Sequence, residues 1–300
     1  MKKHNQKKGK TDLDLFSVKD LVNYFTEEEI KNIQSLQREN HNIAKAIKKI
    51  IQKTQNGGRI IYMGAGTSGR LGILDASECK PTFSTNLFKG IIAGGKSAIT
   101  NAKENAEDNT KAGVIDLKKI NFKETDVLVG LSASGETPYV LSAIKFAKKI
   151  KATTIGITTN PNSKLAKISD YKIAPTVKNE IISGSSRLKS GTAQKIILNM
   201  LSSITMIKIG KVYKNLMVDV TPRNKKLIQK YITIAIAIYY CISFEPRNHQ
   251  SKESLNKARK YLSFSIESTI RYSKSFPILR STLSNITNSS QEYGYIQTLS

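Results

Sequence analysis

Near the start of the chain, apolar residues recur at intervals of three and four. From Ser17 to Gln55 the positions Leu21, Ile30, Ile33, Leu36, Ile43, Ala46, Ile47, Ile50 and Ile51 keep this spacing, which predicts helices. Gly57-Gly58 predicts their end. Beyond it the pattern changes to short β-branched runs separated by helical stretches. The runs 59–63 (RIIYM), 90–93 (GIIA), 126–131 (DVLVGL), 153–157 (TTIGI) and 171–174 (YKIA) read as buried strands. Such alternation predicts a parallel, doubly wound sheet of about five strands between two helical layers, a three-layer α/β/α sandwich. Ligands of such a sheet collect at the carboxyl ends of its strands. A long helix is expected over 191–210, where Ile196, Ile197, Met200, Leu201 and Ile204 are periodic.

The ends read differently. Residues 1–10 form a basic polar stretch expected to be disordered. With it, the division expected is N-terminal helices over 11–56, an α/β domain over 57–220 and a helical appendage over 221–300. The last 50 residues of that appendage are rich in Ser, Asn and Thr and suggest weak helices with a loose tail.

Two glycine-and-hydroxyl loops follow predicted strands. The first is Gly64-Ala65-Gly66-Thr67-Ser68-Gly69-Arg70, where exposed N–H groups at a helix start and the hydroxyls of Thr67 and Ser68 suit a phosphate dianion. Its spacing also fits G-x-G-x-x-G, but a dinucleotide site needs an acid about 20 residues on, and the stretch 84–90 (STNLFKG) contains none. The second is Ser132-Ala133-Ser134-Gly135-Glu136-Thr137-Pro138, whose hydroxyls at 132, 134 and 137 can wrap the same anion while Gly135 permits close backbone approach.

Composition narrows the chemistry. Lys and Arg outnumber Asp and Glu, 48 to 23, for a formal net charge of +25. The excess is mostly lysine, spread over helices and loops without an aromatic stacking pattern, so nucleic acid is not expected as a partner and the charge favours anionic substrates. Cys79 and Cys241 are the two cysteines, and His4, His41 and His249 stand far apart. Neither set has metal-ligand spacing. The longest apolar run, Tyr231 to Phe244, is too short to span a bilayer, and no secretory signal follows the basic N-terminus. A cytoplasmic location is expected, with no membrane contact.

Both loops resemble those of the sugar isomerase family of phosphosugar-binding domains. More specifically, GAGTSGRLGILDASECKPTFS (64–84), IIAGGKSAITNAKENAEDN (91–109) and the stretch 184–220 beginning GSSRLKSGTAQK are similar to the N-acetylmuramic acid 6-phosphate etherase family. The resemblance implies cleavage of the D-lactyl ether of N-acetylmuramic acid 6-phosphate without a cofactor or metal, by a homodimer. It implies Glu78 as proton donor to departing lactate and Glu107 as base at C2, with Glu104 one helical turn earlier as an alternative. It also implies substrate binding by Gly66, Thr67, Ser68, Arg70, Ser132, Ser134, Gly135 and Thr137, with Arg187 and Lys189 as ligands of phosphate or lactyl carboxylate. Three positions depart from the family pattern: Lys80 in place of a proline, Asn105 in place of a glycine and Glu136 in place of an arginine. From about Lys225 the resemblance ends. The rival readings are a non-catalytic sugar-phosphate-binding regulator of a partner protein and an aldose-ketose isomerase.

Overall fold

A computed structural model describes residues 12–213 and 215–217. Expectations for residues 1–10 and for all of 221–300, the Tyr231 to Phe244 run included, lie outside them. Two compact units divide the described chain: 12–75 with 89–201, and 76–88 with 202–217 less residue 214.

The first unit opens with two helices, α1 (Val18–Gln37) and α2 (Asn40–Gln55). Ser17 caps α1, its hydroxyl oxygen accepting from the Asp20 N–H at 3.2 Å. In α2 the residues Ile43, Ala46, Ile47 and Ile50 are buried, the stripe that their spacing predicts. After Asn56, Gly57 takes φ +78° and turns the chain out of the helix.

A five-stranded sheet follows, built from β1 (Ile60–Gly64), β2 (Phe88–Ile92), β3 (Val127–Leu131), β4 (Thr153–Ile157) and β5 (Tyr171–Ile173) in the order β2-β1-β3-β4-β5. The pairings from β1 through β5 are parallel and in step, Ile60 opposite Val127 and Val127 opposite Thr153. All five strands overlap the segments predicted, with ends shifted by a residue or two where they differ.

Every residue of β1, β3 and β4 is buried, as both faces are covered. On one face Ile61, Met63 and Leu128 pack with Val140, Ala143 and Ile144 of α5 (Pro138–Lys149). The helices α4 (Thr110–Lys119) and α6 (Lys164–Ile168) contact α5. A side chain at Gly130 would meet Val140 at 2.9 Å, so the glycine sets how closely α5 approaches. On the other face runs α3 (Gly66–Phe83), whose Gly72 touches Tyr62 and Leu131. Beside it lies α7 (Lys189–Lys208), Asn199 donating to Asp75 at 2.7 Å.

The strand order reverses between β1 and β3. Loops leaving their carboxyl ends therefore diverge to opposite faces and open a crevice at the switch point. Below it, Asp126 ties the two strands at their other ends. Its carboxylate accepts from the Arg59 backbone N–H, Nε and Nη2 and from the Lys123 N–H, at 2.7–3.1 Å. Burial acts to raise the Asp126 pKa, but the Arg59 guanidinium and these N–H groups outweigh it and hold the carboxyl below the ordinary range.

In the second unit the end of α3 buries Cys79 and Phe83 and leaves Glu78 exposed. Ser84, at φ +49°, ends it. After α7, β6 (Val212–Tyr213) and β7 (Leu216–Met217) pair antiparallel.

Candidate active site: an anion cleft with a small annex

The loop from Gly64 to Gly69 turns directly from β1 into α3. Gly66 takes φ +52°, and a Cβ on Gly69 would stand 2.7 Å from the Gly64 carbonyl oxygen. Only glycine admits that closeness, which brings the first-turn N–H groups of α3, left without intrahelical acceptors, to the crevice. The helix macrodipole adds positive potential there.

After β3 the loop 132–137 folds on its own hydroxyls. Ser132 Oγ lies 2.8 Å from Thr137 Oγ1, within 3.4 Å of Ser134 Oγ, and accepts from the Gly135 N–H at 2.9 Å. Gly135 takes φ +71°, and a Cβ there would strike the Ser163 hydroxyl.

These loops line a cleft of about 780 Å³ that also includes Thr159, Lys178, Glu180, Ser190 and Glu107, a size suited to a small polar ligand. Thr67 and Ser68 face it from the first loop, and Ser132, Ser134 and Thr137 from the second. Glu107 sits in the 3₁₀ turn Ala106–Asp108. Asn105 enters that turn at φ +60°, ψ 0°, the left-handed region that Asn tolerates almost as Gly does, which accounts for asparagine at that departure. Asn109 closes the turn by capping α4, its Oδ1 accepting from the Ala112 N–H at 2.9 Å. Among the described residues the Glu107 carboxylate has no hydrogen-bond or salt-bridge partner and is exposed.

The other acid-loop departure resolves differently. Glu136 accepts from the Lys164 N–H at 2.9 Å and pairs with its ammonium at 3.0 Å. The Lys164 N–H and the ammonium hold its carboxyl below the ordinary range. It is engaged at the start of α6, not among the side chains lining the cleft.

Arg187 and Lys189 are placed apart from the hydroxyl loops. Arg187 is exposed and absent from the cleft lining. Lys189 is 7% exposed, and its ammonium donates to Glu28 of α1 at 2.6 Å, because a buried ammonium requires a counter-charge. Burial opposes ionisation of Glu28, but Lys189 and Lys31 prevail and its pKa falls. The same end of α7 is stitched to α1 by Asn32, which donates to the Lys189 carbonyl at 2.8 Å, and by Thr192, which donates to Glu29 at 3.1 Å.

Sequence reasoning missed three contributors. Glu180 caps α7, its carboxylate accepting from the N–H groups of Lys189 and Ser190 at 2.8 and 3.0 Å, so this helix start is already neutralised while that of α3 faces the cleft. Thr159 Oγ1 lies 2.9 Å from Ser190 Oγ and donates to the Ala133 carbonyl at 3.0 Å, bracing the hydroxyl loop. Gln194 is 1% exposed and accepts from the Ser68 hydroxyl at 2.8 Å, and its Nε2 has no partner among the described residues. Nothing in the sequence distinguishes these three from ordinary polar residues.

A second, smaller cavity of about 200 Å³ adjoins the cleft and shares Ala65, Gly66 and Glu107 with it. Arg70 lines it, donating from Nε to the Ile99 carbonyl at 2.9 Å and from Nη2 to the Asn101 carbonyl at 3.1 Å. No cluster of metal-ligating side chains occurs among the described residues, and none of the described helices is long and apolar enough to cross a membrane.

A parallel sheet read at its β1/β3 switch point by two hydroxyl-rich loops defines a sugar isomerase domain protein. Family models agree: the glucokinase regulatory protein N-terminal SIS domain matches residues 42–148 and the SIS domain matches 99–204. Among solved structures, a phosphoheptose isomerase from Francisella tularensis aligns over 64% of this chain and all of that one, with a TM-score of 0.53 and 20% identity. The phosphoheptose isomerase of Neisseria gonorrhoeae aligns over 63% of this chain and 98% of that one, at 0.51 and 17%. Both share the fold. Curated relatives are far more similar in sequence. The N-acetylmuramic acid 6-phosphate etherase of Clostridium botulinum is 52% identical over 221 residues, 73% of this chain and 73% of the relative. That of Vibrio atlanticus is 50% identical over 232 residues, 77% and 76% respectively. The chain belongs to the N-acetylmuramic acid 6-phosphate etherase family.

Proposed function

We propose that this chain converts N-acetylmuramic acid 6-phosphate to N-acetylglucosamine 6-phosphate and D-lactate, in the recycling of cell-wall amino sugars. Half-identical relatives over three quarters of the chain bear that activity in their names, which favours an enzyme over a sugar-phosphate-binding regulator. The observation that carries the reading in the structure is that Glu107 lines the same cleft as both hydroxyl loops.

The reaction sets the demands. In the open-chain sugar the aldehyde acidifies the C2 proton, and the lactyl ether oxygen sits on C3. Removing that proton and breaking the C3–O bond, with a proton delivered to the ether oxygen, releases lactate. Water then adds to the unsaturated aldehyde. The phosphate binds the Thr67–Ser68 helix start and the Ser132, Ser134 and Thr137 hydroxyls, which gather on one cleft. Glu107, unpaired among the described residues, takes the C2 proton. Glu78 is assigned the proton donation to lactate by the family motif Asp75-Ala76-Ser77-Glu78 that carries it. The chemistry requires no cofactor, and we assign the protein to the cytoplasm as a homodimer on the family resemblance.

Incubation with N-acetylmuramic acid 6-phosphate and an assay of D-lactate tests this. The unaltered chain is expected to release lactate, and Glu78→Gln and Glu107→Gln each to lose nearly all of that activity. Full activity in either variant removes the role given to that residue.

A further inference from the structure

The annex beside the cleft contains none of the loop hydroxyls assigned to the phosphate. Its lining combines small side chains, Ala93, Ala98 and Ala102, with two cations, Arg70 and Lys103. Glu107 and Glu104 are the acids on its rim. Among the described residues neither cation has a carboxylate within ion-pair distance, although six such pairs form elsewhere. Arg70 is also fixed in place. Of the five N–H donors of a guanidinium, two are used on the carbonyls of Ile99 and Asn101, leaving three for a ligand. Lys103 has a short tether as well. Gly94 takes φ +86°, and the Cβ it lacks would stand 3.2 Å from the Cβ and Cγ of Lys103, so the stem of the lysine lies against bare backbone.

We infer that this annex receives the lactyl arm of the substrate, its methyl group against the alanines and its carboxylate toward Arg70 and Lys103. The inference rests on the etherase reading and names what sets its specificity. The size agrees: about 200 Å³ accommodates a short branched acid and is far smaller than the cleft of about 780 Å³ that receives the sugar and its phosphate. The placement agrees too. Glu107 lines both cavities, so a sugar with its phosphate in the cleft and its C3 substituent in the annex passes its C2–C3 bond beside that carboxylate. The two cations offset the repulsion between the lactyl carboxylate and the rim acids, and Arg70 in particular can meet it with more than one N–H. After C3–O cleavage the same cations hold the departing anion, while the sugar product, with only a hydroxyl at C3, leaves the annex unfilled.

The test contrasts two ligands that differ only in that arm. In the purified full chain, Lys103→Met is expected to raise KM for N-acetylmuramic acid 6-phosphate about tenfold, the loss of one charge-assisted contact. The same variant is expected to leave Ki for N-acetylglucosamine 6-phosphate within about twofold, and Lys103→Arg to recover most of the lost affinity. Inhibition by D-lactate is expected to weaken in Lys103→Met by the same factor as KM rises. An unchanged KM, or a KM and a sugar-product Ki that move together, overturns the inference. Absence of D-lactate release from the unaltered chain strikes the etherase reading itself and takes the inference with it.

Discussion

Ser68 and Ser132 are buried and wired, the first to Gln194 at 2.8 Å and the second to Thr137 at 2.8 Å and to the Gly135 N–H at 2.9 Å. Glu107, facing the same cleft, is exposed in a one-turn 3₁₀ segment with no partner among the described residues. The contrast fits the two tasks proposed for these groups, holding a phosphate and taking a proton. An anchor for a dianion gains from donors fixed before the ligand arrives, because little ordering cost remains at binding. A proton-accepting carboxylate must stay free of donors, since each hydrogen bond to its charged form lowers its basicity. The proposed anchor is accordingly held by the buried sheet, and the proposed base stands on a surface turn positioned by its flanking residues, Asn105 and Asn109, and by Ala106, which packs against the core.

The sharpest way to break this division is Glu107→Gln. It is expected to lower kcat by roughly 10²- to 10⁴-fold while inhibition by inorganic phosphate stays unchanged, since no anchor group is touched. Weakened phosphate inhibition would mean that the turn also serves binding.

Next in size is Asp126→Ala, which strikes the support of the anchor. It strips the buried clamp between β1 and β3 and leaves Arg59 without its counter-charge, held only by the Ile120 and Asn121 carbonyls. A loss of about 2–3 kcal/mol is expected in denaturant unfolding, less than for a fully buried pair because the Arg59 side chain is 34% exposed. The pH dependence has a definite sign. The Asp126 pKa is depressed in the folded chain, so its contribution is present above the ordinary carboxylate range and is lost as pH falls through the lower, folded value. The gap in stability between the unaltered chain and the Asp126→Asn variant is expected to be full above about pH 5 and to shrink progressively as pH falls from about 4 through that lower value; a gap that stays constant down to strong acid would remove the clamp from this account.

Smaller is Ser132→Ala, expected to raise KM about tenfold with little change in kcat, as one prearranged hydroxyl is lost. A kcat effect larger than the KM effect would place Ser132 in the chemistry instead of the anchor. Smallest is Gln194→Glu, which sets an anionic acceptor against the Ser68 hydroxyl and competes with the phosphate for its proton. Ki for inorganic phosphate is expected to rise about three- to tenfold. In a Ser68→Ala background that rise is expected to vanish, and persistence there would show that Gln194 does not act through Ser68.

The sequence by itself determined the sheet and where its ligand loops lie. Strands buried on both faces must be nearly all apolar, and glycine is required wherever a helix start meets a strand end closely, as at Gly64 and Gly69. Those demands leave a local imprint, so 60–64, 127–131 and 153–157 and the two hydroxyl loops were legible. The glutamates proposed for the chemistry, Glu78 and Glu107, stand out only through resemblance to a family, because an exposed acid carries no local signature.

Tertiary structure alone decided which polar residues converge. Ser68 meets Gln194 across 126 positions, Lys189 meets Glu28 across 161, and Arg70 reaches the carbonyls of Ile99 and Asn101 from another element. Pairing of this kind depends on strand order and helix placement, not on neighbours in the chain. Whether Lys189 faces a phosphate or a glutamate is therefore set by what packs against it: burial forces its ammonium to the nearest counter-charge, and the fold supplies Glu28.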